Sequence, residues 1–138
     1  MLFRSYRRAL FEAGVLADPD LEVTTPPGLD TQSGAEAAMR TLLRLRPRPD
    51  AVVAYNDMAA LMAIRVCEAA GLRVPEDIAF VGFDDIPAAA YGSVGLTTLR
   101  VDKEALGRTG VELVMRGDEM PQDIVHPVEL VVRESSGR

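Results

Sequence analysis

The sequence predicts an α/β fold: a mostly parallel sheet with helices on both faces. Three observations carry that expectation. Two continuous apolar runs of strand length, Ala51–Tyr55 and Ile78–Phe83, read as strands buried on both sides. Segments of helical periodicity separate the strand candidates, and the connectors between them are short and rich in Gly, Pro and Asp. No internal repeat interrupts the alternation.

Taken in order, Tyr6 to Ala13 reads as a helix stopped by Gly14 at the position after the C-cap. Leu21 to Thr24 is a short strand candidate, and Thr25 to Asp30 a turn. A second helix starts near Ser33, where Ser33-x-x-Glu36 has capping-box spacing. Ala35, Ala38, Met39, Leu42 and Leu45 then share one helical face. Arg46 to Asp50 breaks that helix with two prolines.

The strand Ala51–Tyr55 runs directly into Asn56 and Asp57, both good helix caps, with Asp57 favoured for the role. A third helix spans Met58 to Ala70 and ends at Gly71. After the strand Ile78–Phe83 and a loop of small residues comes a strand at Leu96–Val101. Asp102 caps a fourth helix to about Met115, with Leu106, Gly110, Leu113 and Val114 on one face. Arg116 to Asp123 is a loop, Val128–Glu134 the last strand, and Ser135–Arg138 a frayed tail.

Composition bounds the function. A chain of 138 residues is about one domain, and 48% hydrophobic with 26% charged residues suits a folded globular protein. Fifteen basic against twenty-one acidic side chains leave a net charge of −6. A surface that grips phosphates needs a concentrated basic face, so nucleic-acid binding by this chain itself is not expected. No apolar run approaches the roughly 18 residues of a membrane span, and the opening residues lack the apolar core of a secretory signal.

The lone cysteine, Cys67, sits in a helical apolar stretch and reads as a buried, inert thiol of a reducing compartment. With one histidine, His126, and no second cysteine, neither a zinc site nor any other metal or cofactor is expected. No G-x-S-x-G elbow is present, and the chain is not expected to be an enzyme.

Chemistry concentrates at the strand ends. In open α/β sheets ligands bind outside the carboxyl ends of parallel strands. There stand Tyr55, Asn56 and Asp57 after one strand and Asp84 and Asp85 after the other. If the strands are parallel neighbours, these groups converge on one edge and can hydrogen-bond a small polyhydroxylated or heterocyclic ligand. The structural alternatives are a capping role for Asp57 and a turn-stabilising role for Asp84 or Asp85. A magnesium-binding receiver domain fits poorly, because its paired acids come on the first strand, not the last. The third helix carries only Arg65 and Glu68 as charges between Asp57 and Gly71, so its outer face at Leu61, Met62 and Arg65 is expected to meet a second protomer.

Arg48 to Pro87, with YND opening a helix, GLRVPEDI and VGFDD, then TTLRVDKEALGRTGVELV and PVELVVRESS, resembles the C-terminal lobe of the LacI/GalR family of bacterial transcriptional regulators. The resemblance implies a periplasmic-binding-protein-like lobe, with a small sugar-like effector held between two lobes. It assigns Asn56 and Asp84 to effector contact, with Asp57, Asp85 and Tyr55 beside them, and Leu61 to a homodimer interface. Residues 1–96 and 124–138 would form this lobe, and 97–123 would cross into the other. DNA would be bound only through an N-terminal helix-turn-helix that this chain lacks, in a cytoplasmic protein with no membrane partner. The family's effector-binding arginine aligns with Leu2, with Arg4 nearby, and a further polar position after LTT aligns with Val101. A sugar-binding protein of a transport system shares the same fold and is the alternative.

Overall fold

The computed structural model describes residues 2–25, 28, 30–116 and 123–137. Its helices are α1 (Leu2–Glu12), α2 (Thr31–Leu42), α3 (Asp57–Ala69) and α4 (Lys103–Arg116). Its strands are β1 (Ala51–Val53), β2 (Ala79–Asp84), β3 (Thr97–Val101) and β4 (Val128–Val131), and single 3-10 turns lie at Pro19–Leu21, Pro87–Ala90 and Glu134–Ser136.

The sheet order is β1-β2-β3-β4. β1, β2 and β3 are parallel, and β4 returns antiparallel to β3. Each parallel step needs a crossover, and α3 supplies the one between β1 and β2. The α/β class and the mostly parallel sheet are as the sequence predicts, and the two apolar runs prove to be parallel neighbours.

The core lies between the sheet and the α2–α3 layer. Met39, Ile64, Cys67, Ile78, Phe80 and Leu96 are almost wholly enclosed there. Each large apolar side chain so buried contributes about 1.5–3 kcal/mol. α3 packs between α2 and β2, which accounts for much of its apolar circumference. Cys67 has no exposed surface, and burial pushes its thiol up to about 11.

Cover is one-sided among the described residues. On β1, Val52 packs against the core while Val53 is half exposed. On β4, Val128 and Leu130 are also about half exposed. The described side chains of α1 are all at least partly exposed, and α4 has no buried residue. Helices α1 and α4 thus add little buried surface among the described residues.

Local expectations fail at four places. Leu21–Thr24 is not a strand: Leu21 closes a 3-10 turn capped by the Asp18 carboxylate, and Glu22 is held by Arg7 at 2.8 Å. α2 begins two residues early, because Asp30 rather than Ser33 is its cap, its carboxylate accepting the Ser33 N–H at 2.7 Å. The cap of α3 is Asn56, whose Oδ1 accepts the Ala59 N–H at 2.8 Å, and Asp57 is freed from that role.

The C-terminal end is also anchored, not frayed. Ser135 is fully buried, donating from its hydroxyl to the Phe80 carbonyl at 2.7 Å and accepting the Thr97 N–H at 2.8 Å. Its hydroxyl thus bridges backbone groups of β2 and β3. Most of the loop expected at Arg116–Asp123, and Pro26, Pro27 and Leu29 of the turn at Thr25–Asp30, lie outside the described residues.

Candidate functional site

Three carboxylates gather where β1 and β2 end, and each has a different fate. Asp57, the first residue of α3, is fully buried. One of its oxygens accepts the Thr98 hydroxyl of β3, and the other accepts the Ile86 N–H at 2.9 Å. Gly82 makes this possible. A Cβ there would stand 2.3 Å from Asp57 Oδ1, so only glycine lets the start of α3 sit against β2. Asp57 is therefore a structural bolt between α3, β3 and the turn after β2.

Asp85 is the second. Its two oxygens accept from Arg100 Nε of β3 and from Arg133 of the closing segment, both at 2.7 Å. Its partial burial opposes ionisation, but the hydrogen bonds and charges of Arg133 and Arg100 outweigh that and hold the carboxyl below its ordinary value. Arg100 also reaches Glu129 of β4 at 3.1 Å, and Arg133 donates to the Leu96 carbonyl at 2.8 Å. The last strands are thereby laced to the end of β2.

Asp84 is the third. Its backbone carbonyl accepts from Lys103 at the start of α4, yet its carboxylate has no hydrogen-bond or ion-pair partner among the described residues. The residue is partly buried, and its φ of 114° is a conformation that residues with a side chain rarely adopt. It lines an open crevice of about 890 Å³ together with Arg100, Asp102, Lys103, Glu104 and Glu129. Pro87, Val101, Pro127 and Val128 supply apolar wall. An unspent carboxylate accepts hydrogen bonds from hydroxyls or amines, and a charged rim with apolar patches suits a small polar molecule.

The other sequence-predicted residues divide. Asn56 spends its side-chain oxygen on the cap, which leaves the amide N–H2 as a donor. Tyr55 is half exposed. Neither lines the crevice that holds Asp84. Leu61 and Met62 are partly exposed and Arg65 is exposed. Leu61 also packs on the core, so its apolar surface is shared between inside and outside.

Sequence reading passed over Gly82, Thr98, Arg100 and Arg133. The glycine in the middle of an apolar strand was a usable signal, since it marks a close approach of another segment. The two arginines carried none.

Comparison with known proteins places this arrangement. Residues 2–136 match the periplasmic binding protein-like domain. The chain is 38% identical over 129 residues to the HTH-type transcriptional regulator CelR of Thermobifida fusca, covering 94% of this chain and 36% of that regulator. It is 38% identical over 100 residues to the lactose operon repressor of Rhizobium radiobacter, covering 70% of this chain and 88% of that protein. The HTH-type transcriptional repressor PurR of Aliivibrio salmonicida is 37% identical over 110 residues, covering 80% of this chain and 32% of that repressor.

Among solved structures, a complex of the transcriptional regulator CelR with cellobiose superposes with a TM-score of 0.85 at 36% identity, covering 97% of this chain and 41% of that one. A LacI-family regulator from Sanguibacter keddieii gives 0.85 at 34% identity, covering 99% and 53%. The chain spans about a third of the length of CelR and PurR. With a family match over nearly its whole length and relatives of one kind, the chain belongs to the periplasmic binding protein-like family, in its LacI-type branch of transcriptional regulators.

Proposed function

We propose that this chain is the effector-sensing and dimerising part of a LacI-type regulator. It binds a small sugar or related metabolite at the crevice beside Asp84, with a second lobe closing over the ligand. The observation that carries the reading is the Asp84 carboxylate: partly buried, unspent on protein donors among the described residues, and set at the carboxyl end of a parallel strand. Asn56, three residues beyond β1, supplies an amide donor on the same edge of the sheet, with Tyr55, Asp57 and Asp85 as its surroundings.

Segment 97–123 starts in this lobe's sheet as β3 and, from α4 onward, crosses to the second lobe. What supports this is that α4 buries none of its residues against the elements described here. Ligand binding between lobes then shifts the population toward the closed form, and a helix-turn-helix module elsewhere in the polypeptide changes its affinity for DNA. The protein works in the cytoplasm, where its operator is, as a homodimer through Leu61, Met62 and Arg65 of α3. The bound cellobiose of the CelR complex makes an oligosaccharide the first ligand to try.

Isothermal titration of the full-length regulator with cellobiose and a panel of mono- and disaccharides tests the reading. One of them should bind, and Asp84→Ala should weaken it at least tenfold, about 1.4 kcal/mol. An affinity unchanged by that substitution removes Asp84 from the site.

A further inference from the structure

Two successive residues at the end of β2 have positive φ, Asp84 at 114° and Asp85 at 49°. Aspartate visits the left-handed helical region that Asp85 occupies. The Asp84 conformation lies outside that region. A residue with a Cβ persists there only where its surroundings over-determine it. Besides a long contact from the Asp85 N–H to the Thr98 hydroxyl oxygen at 3.4 Å, four contacts converge on the turn to do so.

From α3, Asp57 accepts the Ile86 N–H at 2.9 Å. From α4, Lys103 donates to the Asp84 carbonyl. The other two both end on Asp85: Arg100 from β3, and Arg133 from the closing segment 48 residues away. The Asp85 side chain is only 11% exposed and that of Arg133 19%, so this is not a solvated surface pair. Each oxygen has its own guanidinium, and rotation of the carboxylate would forfeit both contacts.

Resting on the reading of Asp84 as an effector contact, we infer that Asp85 is a positioning residue. Its paired contacts with Arg100 and Arg133 hold the turn in its strained form, so that the neighbouring carboxylate is kept on the crevice and off the protein's own donors. The closing segment, far from the ligand in sequence, thereby sets the geometry of the site.

The test needs no ligand, so it stands apart from whether Asp84 binds one. Asp84→Ala and Asp84→Gly both remove the carboxylate, but glycine alone takes a φ of 114° without a side-chain penalty. In the otherwise native chain the glycine variant should melt higher than the alanine variant by ~3 °C or more. When Asp85→Ala or Arg133→Met is added, the turn relaxes and that difference should collapse. Should either background be unfolded, Asp85→Asn, which keeps the shape and one acceptor, carries the same comparison.

NMR gives an independent signature. The Asp84 Cα shift and its amide–Hα coupling should move toward negative-φ values in Asp85→Ala, and stay put in Asp85→Glu if the longer carboxylate still engages both guanidiniums. A glycine advantage that persists undiminished without Asp85, or Asp84 signals that do not move in Asp85→Ala, would overturn the assignment.

Discussion

At the scale of single residues, the chemistry of this chain turns on how three neighbouring carboxylates are spent. Asp57 is buried with a hydroxyl and a backbone N–H as its partners. Replacing it by alanine leaves the Ile86 N–H and the Thr98 hydroxyl unpaired in an enclosed place, and each such group costs about 1–3 kcal/mol. Asp57→Ala should therefore lower the urea-unfolding free energy by roughly 2–4 kcal/mol. A loss under about 0.5 kcal/mol, typical of a surface change, would mean that Asp57 is not the bolt described. Asp84, with no partner among the described residues, makes the contrasting case, because its removal takes away no protein contact. Read from residue chemistry alone, Asp57 is a helix cap and nothing separates Asp84 from Asp85; only the family resemblance singles out Asp84. Local propensity is correct in placing a cap there but assigns it one residue late. Both Asn56 and Asp57 can cap, and the packing of Asp57 against Gly82 decides between them.

At the scale of elements, α3 and α4 are opposites. α3 buries six of its residues, Asp57, Ala59, Ala60, Ala63, Ile64 and Cys67, and α4 buries none. A helix of 14 residues with no buried side chain is marginal in water on its own. In the 138-residue chain studied alone, the amides of α4 should exchange with deuterium orders of magnitude faster than those at the centre of α3. In the full-length regulator, where the second lobe would cover the face of Leu106, Leu113 and Val114, α4 should become protected. Equal protection of α4 in both would count against its crossing into another lobe. The sequence already shows this apolar face, but amphipathicity says only that a helix wants a partner. Whether the partner lies in the same lobe is a question of where the chain goes next. Here β3 passes directly into α4, which buries none of its residues among the described elements.

At the scale of the whole molecule, one face of the sheet and the outer face of α3 leave apolar surface open among the described residues, and the proposed dimer would cover the second of them. Leu61 and Met62 remain partly exposed, with Met58 41% exposed beside them. Methionine-rich faces of this kind adapt to a partner surface. In a two-fold dimer each substitution acts twice, since the same patch meets its copy. Leu61→Arg should convert a dimer to a monomer at tens of micromolar, read by size-exclusion chromatography with light scattering. A native protein that is already monomeric there, or a dimer indifferent to the arginine, would place the interface elsewhere.

The sequence by itself determined the α/β class, a mostly parallel sheet, the polar residues at the ends of its two apolar runs and the family. All of these are written in short-range signals: continuous apolar stretches, caps, turn residues and motif spacing. The tertiary structure alone decided which carboxylate is spent and which is left over. Asp57 is satisfied by a hydroxyl 41 residues away and Asp85 by a guanidinium 48 residues away. The register that sets Gly82 beside Thr98 and Asp84 beside Arg100 brings those groups within reach. Strand register is a cooperative property of the packed sheet, fixed by the burial of one whole face at once, and no local stretch of the chain specifies it.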